Sequence, residues 1–327
     1  PSNGIDMSKF FIANTNGGNT IALNAAQLQT ANDATTVSIK ISEASRALAI
    51  AISAMPGGDG VTAFLDVSAA FMHDIGLVNN LLQNGIVLSE TPDITPPNFV
   101  SGTISYDDSI SSGGRRIILT LSETIDLTPI SLVNISCFIL SENGVDDIVI
   151  LDGATATGID GLTLTIEMTE SQRVLSVLAS NTPGGDGSGI RINFLKGGVQ
   201  DIGTLQNLAQ TNLSLTEIAD VRSPTLLSQA IDYDTGILTL TFSETIDTTP
   251  KSLVIPGSMY IGQTSNLAGA VQLTEDTTTA VNSAILTFQL TEVQRSAVIK
   301  FSAFTSYYTA TASNPAVLRI HGNSSFE

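Results

Sequence analysis

The chain repeats itself. Thr169-Glu-Ser-Gln-Arg173 returns as Thr291-Glu-Val-Gln-Arg295 and, more loosely, as Ser42-Glu-Ala-Ser-Arg46. Positions 46, 173 and 295 are spaced by 127 and 122 residues. A near-constant period is the mark of one folding unit copied in tandem. Other phrases keep the register. Met55-Pro-Gly-Gly-Asp-Gly60 matches Thr182-Pro-Gly-Gly-Asp-Gly187, Asp74-Ile-Gly76 matches Asp201-Ile-Gly203, and Leu88-Ser-Glu90 matches Leu215-Thr-Glu217. Ser105-Tyr-Asp107 matches Asp232-Tyr-Asp234. Leu121-Ser-Glu-Thr-Ile-Asp126 matches Phe242-Ser-Glu-Thr-Ile-Asp247 at an offset of only 121. The six extra residues are expected in Asp108–Gly114, a Ser- and Gly-rich stretch that reads as a lengthened surface turn.

Three modules follow, at residues 1–95, 96–222 and 223–327. Pro96, Pro97 and Pro224 stiffen the boundaries and favour extended backbone before them. Pro1 aligns with Pro129, so repeat one lacks a counterpart of Pro97–Thr128. Arg319 aligns with Arg191, so repeat three is expected without its last strand. Both ends are read as cutting through modules of a longer array, or as products of processing. A complete module of about 120 residues buries a core without disulfides, and 42% hydrophobic residues make the chain foldable.

Charge narrows the function. There are 31 acids against 13 bases, a formal net charge of −18. Such a surface repels phosphate backbones and anionic lipid and attracts cations, so neither nucleic-acid binding nor membrane insertion is expected. The single cysteine, Cys137, sits in an apolar run and reads as a buried structural thiol.

Strand signals dominate. Arg116–Leu121, Asp147–Leu151, Leu162–Ile166, Ile190–Phe194, Ile237–Phe242 and Thr36–Ile41 are β-branched and apolar with polar residues interleaved. Many short strands between turn signals point to an all-β fold of tandem Ig-like β-sandwiches. One segment per module departs from this. After Thr169 the apolar residues fall at Val174, Leu175, Val177 and Leu178, which suits a short helix. Thr169 with Gln172, and Thr291 with Gln294, have capping-box spacing, and Glu170 and Glu292 suit the positive end of that helix.

Candidate sites are few. Glu123 with Asp126, and Glu244 with Asp247, place two carboxylates three apart after a strand. Asp107, Asp234 and Asp201, the last with Asn207, extend the set. Hard cations take several oxygens from such loops, so calcium is the metal expected; the bland reading is a set of turn acids capping backbone N–H groups. Pro183-Gly-Gly-Asp-Gly187 lacks the Lys-Ser/Thr of a phosphate loop and reads as a tight turn needing positive φ. His73 and His321 are not equivalent, so no histidine-based catalytic set recurs per module. Asn134, Asn212 and Asn323 open N-glycosylation triplets that matter only in an exported protein.

Leu-Thr-Phe-Ser-Glu-Thr-Ile-Asp (Leu240–Asp247) resembles a phrase of Ig-like repeats in large prokaryotic surface proteins. So do the Thr-Glu-x-Gln-Arg phrase and the Pro-Gly-Gly-Asp-Gly and Asp-Ile-Gly phrases after it. The likeness extends to the surface-layer proteins of ammonia-oxidising archaea and covers the whole chain. It implies copies of one chain assembled into a two-dimensional extracellular lattice, held by metal ions, with acidic pores that let ammonium approach. Repeat three departs from the pattern, with Tyr307–Ala312 near the glycine turn's place and no later Asp-Ile-Gly. The expectation is therefore a structural, non-enzymatic surface-layer protein. The alternative is the stalk or filament of an extracellular adhesin. A polysaccharide hydrolase would need two opposed carboxylates in a cleft, which nothing in the sequence suggests.

Overall fold

The computed structural model describes residues 5–18, 20–30, 32–107, 114–142, 146–262, 269–274, 279–300 and 317–320. All of the expected insertion Asp108–Gly114 except Gly114, the segment 307–312, His321 and Asn323 lie outside them. The fold is all-β with three short α-helices among the described residues, and the chain divides into two compact units, Pro1–Asp220 and Val221–Glu327.

The first unit holds repeats one and two. Repeat one contributes β1 (Phe10–Ala13), β2 (Ile21–Ala22), β3 (Gln27–Leu28), β4 (Ile39–Lys40), α1 (Glu43–Ala51), β5 (Phe64–Val67) and β6 (Gln83–Val87). Its main sheet runs β2-β1-β5-β6, and β3 pairs only with β4. The strand expected over Thr36–Ile41 is paired only at Ile39–Lys40. Its core is small: Ile12, Ile21, Leu23 and Ala63 are buried, with Phe10, Ile41 and Ile52 packed alongside.

Repeat two contributes β7 (Phe99–Ser105), β8 (Arg116–Ile125), β9 (Phe138–Glu142), β10 (Asp146–Ile150), β11 (Thr155–Thr157), β12 (Gly161–Glu167), α2 (Glu170–Leu178), β13 (Ile190–Phe194), β14 (Gln210–Ser214) and β15 (Thr216–Ile218). They form two sheets, β10-β9-β13-β14 and β11-β12-β8-β7-β15. All pairs are antiparallel except β15 with β7. Alternation puts Ile117, Leu119 and Leu121 of β8 on one face, where they meet Phe138 and Leu140 of β9 and Ile192 and Phe194 of β13. One core thus draws on both sheets, and the Phe138 and Phe194 rings stack at 4.8 Å. Cys137 is only half-buried, its Sγ 3.7 Å from the Lys196 carbonyl.

The second unit comprises β16 (Leu226–Asp232), β17 (Ile237–Ile246), β18 (Met259–Gly262), β19 (Val271–Gln272), β20 (Ser283–Gln289), α3 (Glu292–Ile299) and β21 (Val317–Ile320). Sheets β16-β17-β20 and β19-β18-β21 share a core of Leu238, Leu240, Met259, Ile261, Leu286 and Phe288.

The helices start as their sequences dictate. In α2 the Thr169 hydroxyl accepts from the Gln172 N–H at 3.3 Å, and the Gln172 side chain accepts from the Thr169 N–H at 2.9 Å. The same reciprocal pair caps α3 through Thr291 and Gln294. In α1 the Ser42 side chain accepts from the Ser45 N–H, and with serine at the third helical position no box closes. The glycine turns follow α1 and α2, with φ of +84° and +82° at Gly57 and Gly60, and +91° and +89° at Gly184 and Gly187. L-residues with a Cβ rarely adopt that conformation, which is why the phrase is built of glycine.

Candidate functional site

Each helix carries a Glu-x-x-Arg pair on adjacent turns, where side chains three apart are neighbours. In α2 the Arg173 Nε and Nη2 donate to the two Glu170 carboxylate oxygens at 2.8 and 2.7 Å. Its Nη1 donates to the Tyr106 carbonyl at 3.1 Å and to Asp220 at 2.8 Å. One guanidinium thus pins the helix to the end of β7 and to the last residue of the unit. In α3, Arg295 donates to Glu292 and to the Tyr233 carbonyl. Glu217 is a second staple. It accepts from the Asn181 and Ile190 N–H groups and from the Tyr106 hydroxyl, tying the turn after α2 to the sheet. Burial first, then the Glu217 charge, pushes the Tyr106 phenol well above its ordinary range.

In α1 the same kit reaches from repeat one to repeat two. Arg46 Nε and Nη2 donate to Glu43 at 2.7 and 2.8 Å, Nη1 donates to Asp93 in the segment between the repeats, and Nη2 donates to Glu123 of β8 at 2.7 Å. Glu43 in turn accepts from the Thr124 N–H at 2.8 Å. Beside this network the glycine turn of repeat one meets the Asp-Ile-Gly turn of repeat two. A Cβ built on Gly57 would lie 1.8 Å from the Ile202 carbonyl oxygen, and one on Gly203 would lie 3.2 Å from the Asp93 Cβ. Two phrases that recur in the sequence are therefore the two halves of one joint.

Asp201 sits at its centre, 1% exposed. Its Oδ1 accepts from the Leu205 N–H at 2.8 Å, as Asp74 Oδ1 accepts from Val78 in repeat one. The repeat-one turn instead faces solvent, with Ile75 87% exposed. Carboxylate oxygens of Asp93, Glu123 and Asp201 lie within 4.8 Å of one another, and among the described residues this is the one such acidic group. Glu123 is 5% exposed. Its Oε1, and Oδ2 of Asp201, are buried without a hydrogen-bond partner.

The remaining sequence candidates are placed elsewhere. Asp126 is not in the group with Glu123. β8 ends at Ile125, and Asp126, in the turn beyond it, caps the Thr128 N–H through Oδ1 at 3.0 Å. Asp247 caps Thr249 in the same way. Glu244 is buried on β17 at the register of Glu123. Asp107 follows β7, where its carbonyl leaves no room for a Cβ at Gly114. Asp234 is exposed, and its N–H donates to Asp232. Asn207 is buried as a loop staple, accepting from Val199 and donating to the Leu195 and Leu208 carbonyls. His73 is exposed beside the Asp74 carbonyl. Sequence reasoning overlooked Arg46, Glu43 and Asp93. A signal existed: Arg and Asp recur 47 residues apart as Arg46 with Asp93 and Arg173 with Asp220.

Four carboxylates (Glu43, Asp93, Glu123, Asp201) surround one guanidinium, a formal excess of three negative charges. Glu123 responds most. Burial pushes its carboxyl up to about 7, Arg46 opposes this, and the Asp93 and Asp201 charges add to it. Asp201 is raised for the same first reason. For Glu43 burial alone would raise the carboxyl, but Arg46 and the Thr124 N–H outweigh it and the net shift is downward. A carboxyl raised on folding holds its proton more tightly folded than unfolded. Its contribution is present below the ordinary value of 4.5 and is lost as pH rises through about 7. In chelator-containing buffer, the first unit is expected to lose up to about 3 kcal/mol between pH 5 and pH 8. Glu123→Gln is expected to flatten that slope, read from denaturant midpoints; a slope unchanged by the substitution contradicts this assignment. Glu43 acts in the opposite sense, with stability lost as pH falls below its ordinary value.

No helix among the described residues is long and apolar enough to cross a membrane. No family model, no curated protein and no solved structure matches this chain.

Proposed function

We propose that this chain is a structural segment of an extracellular surface layer, in which acidic Ig-like β-sandwich modules in series set a fixed spacing and copies assemble into a paracrystalline lattice. The observation that carries this reading is the use to which the recurring phrases are put. The Glu-x-x-Arg pair fastens all three α-helices, within Thr-Glu-x-Gln-Arg in α2 and α3, and Pro-Gly-Gly-Asp-Gly of repeat one abuts Asp-Ile-Gly of repeat two. The recurring residues serve module shape and, where repeat one meets repeat two, module spacing, as a scaffold requires, and no catalytic role is proposed for them. The net charge of −18 opposes close packing of copies. Divalent cations, calcium first, are the natural neutralising partners at lateral contacts, and small cations such as ammonium are attracted to the same surface.

An adhesin stalk is the second reading, favoured by the joint running along the chain from one repeat to the next. Electron microscopy of cells bearing the protein separates the two. The surface-layer reading expects periodic sheets that a chelator disperses. Isolated fibres, or sheets indifferent to chelation, would count against it.

A further inference from the structure

We infer that the joint between the first two repeats is an intrachain binding site for a divalent cation of the calcium class, with Asp93, Glu123 and Asp201 as its carboxylate ligands. The inference goes beyond the surface-layer reading and does not depend on it, because every ligand belongs to one chain.

Three observations converge. The first is spacing. Calcium–oxygen distances run roughly 2.3–2.6 Å, so two oxygens on opposite sides of one ion lie about 4.8 Å apart. The three carboxylates bring oxygens within that limit of one another. The second is the state of those oxygens. Arg46 takes Glu123 Oε2 and Asp93 Oδ2, the Thr95 N–H takes Asp93 Oδ1, and the Leu205 N–H takes Asp201 Oδ1. Glu123 Oε1 and Asp201 Oδ2 remain, buried, with no hydrogen-bond partner. A buried carboxylate oxygen without a partner is costly unless a cation or proton meets it. The third is charge: a divalent ion would reduce the formal excess at the joint from three to one.

The ligands come from three segments: Asp93 from the connection between the repeats, Glu123 from β8, and Asp201 from the turn after β13. Through Arg46 the same group holds α1. An ion there fixes repeat one against repeat two. Calcium suits the place better than magnesium because it accepts irregular oxygen sets and sheds water more readily.

The test is a calorimetric titration of the full chain, stripped with chelator, against calcium chloride. The wild type is expected to show a saturable site with a Kd at or below about 1 mM, the range of extracellular calcium modules. Glu123→Gln and Asp201→Asn keep size and one acceptor oxygen, and each is expected to weaken that site about tenfold or more. Asp74→Asn alters the matching exposed turn of repeat one and is expected to leave binding unchanged. If either joint variant fails to fold, amide exchange of the wild type decides, with calcium expected to slow exchange at 93–95, 122–126 and 200–205. Absence of saturable binding up to about 10 mM, joint variants that bind as the wild type does, or slowing confined to other segments would overturn the inference. Calcium bound at the joint by a chain that forms no sheets would remove only the surface-layer reading. Sheets without a joint site would remove only this one.

Discussion

Gly57→Ala is expected to destabilise repeat one by about 3–4 kcal/mol, whereas Gly184→Ala at the matching position of repeat two costs about 1–2 kcal/mol. Both glycines have strongly positive φ, +84° and +91°, so both substitutions carry the same backbone strain. Only one adds a collision. A Cβ on Gly57 would sit 1.8 Å from the Ile202 oxygen and 2.8 Å from its carbonyl carbon, whereas one on Gly184 meets only the Val177 Cγ1 at an ordinary 3.5 Å. Ile202 cannot yield as a surface rotamer yields, since the atoms in the way are backbone beside the buried Asp201. Inserting a methyl against fixed backbone typically adds about 1–3 kcal/mol. The excess cannot exceed the free energy of the joint, because the turns can separate instead. The difference between the two variants therefore measures what the joint is worth. Denaturant midpoints of the full chain give that difference, and equal losses would mean that the joint contributes nothing.

Arg173→Ala is expected to cost about 3–5 kcal/mol, and Arg46→Ala less, about 2 kcal/mol. The Arg173 side chain is 5% exposed and serves Glu170 through two parallel bonds, Asp220 and the Tyr106 carbonyl. Deleting it removes a shared donor from Glu170, Asp220 and the Tyr106 carbonyl, and leaves Glu170 its longer contact with Arg115 at 3.6 Å. Such losses from a buried network exceed the net worth of the ion pair itself. The Arg46 side chain is 29% exposed, so water recovers part of the loss. Arg173→Lys is expected to rescue little, because an ammonium cannot match the forked geometry. The measurement is a shift in denaturant midpoint at unchanged slope. A near-neutral Arg173→Ala would show that Glu170 and Asp220 are satisfied by solvent and their remaining contacts.

Features set by neighbours along the chain were legible from the sequence. Both capping boxes form on Thr169 and Thr291 because they need only residues three apart. The glycine turns adopt positive φ because nothing else fits them comfortably. β8, β12, β13 and β17 lie where alternation and β-branching place them. The failures are non-local. Glu123 looked like one half of a pair with Asp126, since the two stand side by side on the page. β8 ends at Ile125, so Asp126 belongs to the turn and caps Thr128, and the partner of Glu123 is Arg46, 77 positions earlier. Asp93 reads as linker, and only the fold folds it back against Asp201 and Glu123. The strand at Thr36–Ile41 pairs over two residues, Ile39–Lys40, with β3, among the described residues.

Amide exchange in the Gly57→Ala chain bears most directly on the claim that the repeated phrases build a joint between modules. Faster exchange is predicted on both sides of the contact: in α1 of repeat one, and at Thr124 and Gly203 of repeat two, far along the chain from the substitution. Acceleration restricted to the turn at 55–60 would contradict the claim and reduce the two phrases to independent loops.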